Sequence, residues 1–263
     1  MKNKDLTKFY DGVYKKGIEK HYAKLIGYKG GLPGEDQAVF DSANWKGKTV
    51  LEAGCGEGIL SFEIAKAGAK KVVGIDFSPE GIKNAREKHN LKNLEFFAED
   101  LLKHKGKYDV IISLGTVEHM DNPLRALRKI KKMLNAGGTM IITSPNWTNP
   151  RGYILQTLYH LFKAPITLAD LHYFTPINYM EFAKKLNMKL SWQTIDDDWS
   201  QGQKMLRDLE RRLPNVLRDA KLLNKKENIK SLLKWLEKCV IPFDNKLPQS
   251  GALGLYIFIK INE

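Results

Sequence analysis

Between Thr49 and Thr143 the sequence alternates short β-branched apolar runs with segments of helical spacing. This alternation is typical of successive βαβ units, which build a parallel sheet covered by helices. The predicted strands are 49–53, 71–75, 94–97, 109–113 and 138–143. The predicted helices lie near 59–67, 79–89 and 122–133, and the last is expected to carry Leu134 and to end at Gly137-Gly138. The stretch therefore predicts an α/β domain.

The remainder of the 263-residue chain has a different character. An aromatic segment over 146–174 precedes a predicted helix near 176–186, a strand near 188–195 and a last strand over 254–261. Between Ile195 and Gly251 the apolar spacing predicts two amphipathic helices with a basic solvent face. We expect one domain with four parts: an N-terminal helical cap (1–44), a cofactor-binding core (45–195), a helical insertion or lid (196–252) and the final strand (253–263).

Composition limits the class of protein. Two cysteines, Cys55 and Cys239, are too few for a disulfide framework and show no metal-ligand spacing, so we expect no metal and a cytoplasmic location. The charged N-terminus lacks an apolar signal segment, and no run of about 18 apolar residues suggests a membrane span. The net charge of +13 suits attraction to RNA, anionic lipid or an acidic substrate, although lysine-rich proteomes reach such values without one.

A glycine-rich turn, VLEAGCGEG, follows the first predicted strand and opens a helix. Its glycines allow positive φ and let backbone N–H groups approach a ligand. The GxGxG spacing differs from the GxGxxG of dinucleotide folds, because Ile59 occupies the place of the third glycine. Glu52 stands just before the turn, where a carboxylate suits an ammonium group better than a pyrophosphate. We expect a ligand that is cationic at this end to contact Glu52, Ala53, Gly54, Cys55 and Gly56.

Acidic residues also end the next two strands. Asp76 can accept hydrogen bonds from both hydroxyls of a ribose, and Phe77 offers an apolar face to a purine. Asp100 can accept from an exocyclic amine while the N–H of Leu101 faces a ring nitrogen. Because the sequence has no P-loop, the nucleoside should carry no polyphosphate. A ribose, an adenine and a cationic amino-acid moiety together describe S-adenosylmethionine as the predicted cofactor.

Five ordered segments carry a family resemblance: VLEAGCGEG, GIDFSPEGIKNARE, FFAEDLL, YDVIISLGTVEHMDNP and LNAGGTMIITSPN. Over roughly residues 45–195 the chain resembles the class I methyltransferases, in particular the small-molecule O-methyltransferases of the ubiquinone-biosynthesis type. The resemblance implies a Rossmann-like seven-stranded sheet of order 3-2-1-4-5-7-6 with the last strand antiparallel and helices on both faces. It also implies that the carbonyl of Leu114 meets the methionine amino group. An N-terminal aromatic helix with Tyr10, Tyr14 and Tyr22 would cover the carboxylate end, and Tyr14 is the main candidate.

Methyl transfer from a sulfonium is an in-line displacement, so the enzyme must chiefly align the acceptor and exclude water. A hydroxyl acceptor gains from a general base, for which His119 and His172 are the candidates. The resemblance leaves a second role open for Glu118 and His119, which would hold their loop or contact the cofactor. It places His172 in a segment that lines the acceptor pocket. Further candidate walls of that pocket are Asn146, Trp147, Tyr173 and Phe174.

The acceptor stays open at this stage. The segment Ser113–Thr116 reads SLGT rather than the NPPY or DPPY of enzymes that methylate exocyclic amines of nucleic acids, which disfavours that substrate. The favoured acceptor is a small-molecule hydroxyl on a quinone precursor, a lipid-linked compound or a saccharide, with the basic insertion as lid or membrane-surface contact. The alternatives are methylation of RNA or protein, a catalytically silent S-adenosylmethionine-binding module and, more distantly, an NAD-dependent dehydrogenase.

Overall fold

The computed structural model describes residues 11–12, 14–15, 32, 34–167, 170–244 and 247–261. Most of the predicted cap, including Tyr10 and Tyr22, lies outside these residues. The chain forms two compact units. The sheet unit comprises Met1–Ser144, Met180–Ser191 and Tyr256–Glu263, and the helical unit comprises Pro145–Tyr179 and Trp192–Leu255. The four-part division of the chain stays a prediction.

In the described part of the chain, strands and helices alternate as the sequence predicts up to β5. The strands are β1 (Thr49–Ala53), β2 (Lys71–Asp76), β3 (Leu94–Ala98), β4 (Tyr108–Leu114), β5 (Leu134–Pro145), β6 (Met188–Ile195) and β7 (Leu253–Lys260). The helices are α1 (Gly34–Asp41), α2 (Ile59–Lys66), α3 (Pro79–Lys88), α4 (Pro123–Met133), α5 (Pro150–Phe162), α6 (Pro176–Leu186), α7 (Asp197–Ser200), α8 (Gly202–Asp219) and α9 (Lys226–Cys239). Short 3-10 turns occupy Val117–His119 and Ile241–Phe243.

The seven strands form one mixed sheet of order β3-β2-β1-β4-β5-β7-β6 with β7 antiparallel, which confirms the predicted fold class. In the centre, Val50 of β1 pairs in parallel with Val72 of β2 and with Val110 of β4. Strands such as β1 and β4 are apolar nearly throughout because parallel strands are buried on both faces. The carboxyl ends of β1, β2 and β4 therefore meet at one edge of the sheet.

The predicted end of the helix after β4 is wrong. α4 ends at Met133, and Leu134 begins β5 instead of completing the helix. Leu134 pairs with Tyr108, and the next aligned pair is Val110 with Thr139, so extra residues of β5 bulge between the two pairs. Gly137, at φ 65°, lies in this bulge and supplies its left-handed backbone rather than a helix cap.

The helical unit has its own apolar core. Its first helix, α5, was not predicted, although Asn149 caps it by accepting the N–H of Gly152 at 2.8 Å and Pro150 takes the first helical position. The two predicted amphipathic helices correspond to α8 and α9. The buried residues of this core include Trp147, Leu155, Ile166, Met205, Leu209, Leu213, Ile229 and Leu236. Of the helices that the structure describes, none combines the length and apolarity needed to cross a membrane.

Candidate active site

The glycine turn between β1 and α2 is bonded to the end of β2. The N–H groups of Gly54 and Cys55 both donate to the carbonyl of Ile75, at 2.8 and 3.0 Å. The N–H of Gly56 donates to Oδ2 of Asp76 at 3.0 Å. Gly54 and Gly56 adopt φ of 85° and 52°, which L side chains rarely tolerate. The turn thus brings the predicted glycine and ribose-binding residues together at the carboxyl edge of the sheet.

Asp76 is buried and holds two loops. Besides Gly56, it accepts the N–H of Ser78 at 2.8 Å through Oδ1. Burial raises its pKa, the backbone hydrogen bonds oppose this, and the carboxylate of Asp11 raises it further. Asp11 accepts the hydroxyl of Ser78, so an acidic residue of the N-terminal segment also belongs to this site. The remaining lone pairs of Asp76 leave it able to accept ligand hydroxyls.

Glu52, at the end of β1, is 4% exposed and is surrounded by acids. Burial raises its pKa to about 8, the 2.5 Å hydrogen bond from the Ser61 hydroxyl opposes the rise, and the charges of Asp36 and Asp76 add to it. Burial likewise raises the pKa of Asp36 to about 6. Because each negative charge raises the energy of the others, a cation bound beside Glu52 would favour its ionised form. The carboxyl groups of Glu52, Asp36 and Asp76 therefore fit a cationic ligand, as was predicted for Glu52 from the sequence.

Asp36 reaches the site through α1. The hydroxyl of Thr143, near the end of β5, donates to the carboxylate of Glu35 in the first turn of α1. This bond holds the first turn of α1 at the carboxyl edge of β5. Asp36 was not predicted, since no motif or periodicity of the sequence marks it.

Tyr14 covers the glycine turn. A Cβ built on Gly56 would lie 2.8 Å from the Tyr14 hydroxyl, and one built on Gly81 would lie 3.1 Å from its ring. The ring therefore packs over the turn and the first turn of α3, where side chains larger than glycine would displace it. This placement agrees with the expected position of Tyr14, and its role toward a cofactor stays a prediction.

The predicted adenine-binding residues follow β2 and β3, which pair in parallel at Asp76 and Ala98. Phe77 exposes 39% of its surface. Asp100 is exposed and accepts the N–H of Leu102 at 2.8 Å, whereas Leu101 is buried. The loops after β2 and β3 thus stand side by side, which is the arrangement that a bound purine needs.

The end of β4 approaches the glycine turn. The hydroxyl of Ser113 donates to the carbonyl of Ala53 at 3.1 Å, which ties β4 to β1. The carbonyl of Leu114 accepts the Thr116 hydroxyl at 2.7 Å, and its second lone pair can still accept a ligand amine. The side chain of Thr116 occupies the space that a Cβ on Gly54 would fill. Thr116 thus borders the glycine turn, although no motif of the sequence predicted this position.

The predicted general bases lie in different units. Glu118 is buried and His119 is half-buried in the 3-10 turn after β4, where the N–H of His119 donates to the carbonyl of Thr116 at 3.1 Å. His172 belongs to the helical unit, and its ring stacks on Phe174 with centroids 5.2 Å apart. The catalytic roles of both histidines stay predictions.

All four candidate wall residues have contacts within the helical unit, among them the ring of Phe174 against that of His172. The amide of Asn146 donates to the carbonyls of Gln249 and Gly251, both at 2.8 Å. Trp147 packs edge-on against Tyr173 with centroids 5.4 Å apart, inside the core of the helical unit. These contacts bind segments of the helical unit together.

The sheet order and the acid-lined glycine turn define a Rossmann-like methyltransferase that uses S-adenosylmethionine. The chain belongs to the methyltransferase domain family, whose match covers residues 44–208.

Parts of this chain are similar to known proteins. It is 31% identical over 164 residues to the ubiquinone biosynthesis O-methyltransferase of Pelagibacter ubique. This match covers 57% of the present chain and 68% of the Pelagibacter protein. It is 44% identical over 85 residues to a Methanocaldococcus jannaschii protein named for protein N5-glutamine methyl transfer. That match covers 30% of the present chain and 43% of the Methanocaldococcus protein. The magnesium protoporphyrin IX methyltransferase of Synechocystis PCC 6803, solved with bound S-adenosylhomocysteine, matches with a TM-score of 0.54 at 22% identity, over 70% of this chain and 90% of that chain.

Proposed function

We propose that this protein transfers the methyl group of S-adenosylmethionine to a hydroxyl of a small molecule. The observation that carries the proposal is the cluster of Asp36, Glu52 and Asp76 at the glycine turn, where burial raises all three pKa values and the charges of Asp36 and Asp76 raise that of Glu52 further. Such a cluster favours a ligand that brings positive charge and hydroxyl donors. When bound, the cofactor supplies a methyl group on a cationic sulfonium.

In this proposed function, different protein groups bind the ribose, the methionine moiety and the adenine of the cofactor. Asp76 accepts the ribose hydroxyls, and Glu52 offsets the positive charge of the methionine moiety. The carbonyl of Leu114 accepts a hydrogen bond from the ammonium group of the methionine moiety, and the ring of Tyr14 covers the carboxylate end of that moiety. The methionine moiety is bordered by the backbone groups of Ala53, Gly54, Cys55 and Gly56. The adenine is surrounded by Phe77, Asp100 and Leu101. Glu118 holds the loop after β4 in place.

An O-methyl acceptor is supported by the named relative of Pelagibacter ubique and by the two histidines. His119 would remove the proton of the acceptor hydroxyl, and His172 would border the acceptor. A protein acceptor is the second candidate, because one relative, 44% identical over 85 residues, is named for N5-glutamine methyl transfer to protein. An acceptor screen with radiolabelled methyl donor distinguishes them: small phenols and saccharides against peptides and RNA.

The helical unit presents a basic face on α9, for which we propose a peripheral contact with anionic lipid. Lys226, Lys230, Lys234 and Lys238 follow at four-residue spacing and are exposed, and the neighbouring Trp235 exposes 56% of its surface. Sedimentation with anionic and neutral vesicles tests this. Binding to anionic vesicles alone, reduced by Lys230→Gln with Lys234→Gln, supports it, and equal recovery with both vesicle types contradicts it.

The cofactor is tested first by calorimetric titration with S-adenosylmethionine, S-adenosylhomocysteine and NAD. Binding of the two adenosyl ligands with no binding of NAD is the expected result. Binding of NAD alone would overturn the proposed function. Binding of the adenosyl ligands without methyl transfer to any acceptor class would favour a silent binding module.

A further inference from the structure

A hydrogen-bonded relay joins both ends of the loop between β3 and β4. Nδ1 of His104 lies 2.6 Å from the Glu99 carboxylate, and Nε2 lies 2.8 Å from the Tyr108 hydroxyl. Glu99 directly follows β3, and Tyr108 is the first residue of β4. The imidazole is 6% exposed and stacks on the ring of Tyr108 with centroids 5.9 Å apart. One buried ring therefore holds the two ends of the loop.

The same loop carries the predicted adenine-binding residues. The carbonyl of Asp100 accepts the N–H groups of Lys103 and His104, at 2.9 and 3.1 Å. The N–H of Glu99 donates to the carbonyl of Asp76 at 2.9 Å, which ties the start of the loop to the predicted ribose site. Since His104 stands on the turn that Asp100 begins, a shift of the imidazole would move the Asp100 carboxylate and the Leu101 N–H.

Both nitrogens of a buried imidazole need partners, because an unsatisfied buried polar group costs free energy. Nδ1–H can donate to Glu99 while Nε2 accepts from the Tyr108 hydroxyl. The hydroxyl can also reverse its direction and accept, so both bonds persist in either protonation state of the ring. An aliphatic side chain at position 104 would fill the space and break both bonds.

We propose that His104, fixed by Glu99 and Tyr108, is a positioning residue that sets the selectivity of the cofactor site for the 6-amino group of adenine. This inference rests on the proposed function, in which Asp100 and Leu101 meet the adenine. His104 acts through the loop backbone. Removing it should loosen recognition of the base without removing any group that touches the reacting atoms.

The test compares the affinity of S-adenosylhomocysteine with that of S-inosylhomocysteine, which carries a 6-oxo group in place of the 6-amino group. The protein should prefer the adenosyl form by about tenfold or more, the value of a lost hydrogen bond. His104→Leu should reduce this preference to about threefold or less, while the KM for S-adenosylmethionine rises and kcat changes little. Tyr108→Phe, which breaks one of the two bonds and keeps the ring, should give an intermediate preference.

His89→Leu is the matched control. His89 is also a histidine of the sheet unit, stacked on Phe62 with centroids 4.6 Å apart, and it should leave the preference unchanged. A full preference in His104→Leu, or an equal loss of affinity for both ligands, would overturn the inference, since general unfolding affects both alike. A wild-type protein that binds neither ligand would instead overturn the proposed function. If His104→Leu does not fold, Tyr108→Phe decides between the same outcomes.

Discussion

The hydroxyl of Ser61 donates to the carboxylate of Glu52 over 2.5 Å, and both residues are almost completely buried. Glu52 is the only charged residue of β1, next to its last residue Ala53, and Ser61 lies on the buried face of α2. The hydrogen bond from this neutral hydroxyl offsets only part of the cost of burying the charge, so burial still raises the pKa of Glu52 to about 8. The fold therefore holds a carboxyl whose ionised form becomes favourable when a cation arrives.

Glu52→Gln should make the stability of the ligand-free protein less dependent on pH. The pKa of Glu52 rises from 4.5 to about 8 on folding, so between these values the folded state binds a proton that the unfolded state lacks. The stability is then highest at low pH and falls as pH rises toward about 8. Thermal unfolding at pH 5, 6.5 and 8.5 should show a smaller fall for Glu52→Gln.

Glu63→Gln is the control for this series. Glu63 pairs with Lys66 at the protein surface, 3.0 Å apart, so its loss should leave the pH dependence as it is. Ser61→Ala should steepen the fall, because it removes the hydrogen bond that favours the ionised form. Parallel melting curves for wild-type protein and Glu52→Gln would show that Glu52 does not titrate in this range.

Asp76→Ala should weaken binding of S-adenosylmethionine by about 1–3 kcal/mol, because hydrogen bonds to a charged acceptor are lost and Gly56 loses its anchor. Calorimetry measures the change. Asp109→Ala is the matched control, since Asp109 accepts the N–H of Thr49 at 2.8 Å at the opposite edge of the same sheet. The control should lower the unfolding temperature and leave the affinity unchanged. Equal affinities for all three proteins would remove Asp76 from the site.

Hydrophobic periodicity predicted the individual strands of the parallel part of the sheet, whereas the strand order was expected only from the family resemblance. The runs at β1, β2 and β4 are apolar because both faces are covered, and that pattern survives in any parallel sheet. It failed where two local signals competed. Gly137-Gly138 resembles a helix end, but pairing of Leu134 with Tyr108 begins the strand earlier. α5 was missed because its sequence is aromatic and weakly amphipathic, although its Asn-Pro start is a recognisable cap.

The proposed site residues that the sequence could predict lie at or next to the end of a strand. Asp76 and Leu114 end their strands and Glu52 is the last residue but one of β1, so sequence position fixes them at the carboxyl edge. Asp11 and Asp36 reach the same edge through tertiary contacts that no local pattern encodes: Asp11 accepts the Ser78 hydroxyl, and Glu35, beside Asp36, accepts the Thr143 hydroxyl. Thr116 lies just two residues after β4, but no motif marked it. Their roles in the site could not be predicted from spacing alone.

His119→Ala should slow methyl transfer about a hundredfold or more if the acceptor is a hydroxyl, since a general base contributes that much. Affinity for S-adenosylhomocysteine should stay within a few-fold, which separates catalysis from cofactor binding. Single-turnover rates with a responsive acceptor measure the effect. The exposed His160 of α5 provides the control variant, His160→Ala. A rate within a few-fold of wild type would assign His119 to holding the loop after β4.

Asp208→Ala should destabilise the helical unit by about 3–5 kcal/mol, because it leaves buried arginine charge without its partner. Asp208 is 3% exposed, and its carboxylate lies 3.1 Å from Arg212 and 3.7 Å from Arg151, which joins α5 to α8. Burial raises the pKa of Asp208, but the charges of Arg212 and Arg151 outweigh burial and lower the pKa overall, so this stabilisation is lost only as pH falls below the usual range of an aspartate.

Arg211→Ala is the control: the side chain of Arg211 is 54% exposed and should contribute less than about 1 kcal/mol. The double variant Arg151→Met, Asp208→Leu should recover part of the loss, because it also removes the more deeply buried arginine, while Arg212, 26% exposed, still donates to the carbonyl of Ile166. Urea unfolding compares all four proteins, and a loss in Asp208→Ala no larger than in Arg211→Ala would show that the buried cluster does not stabilise the fold.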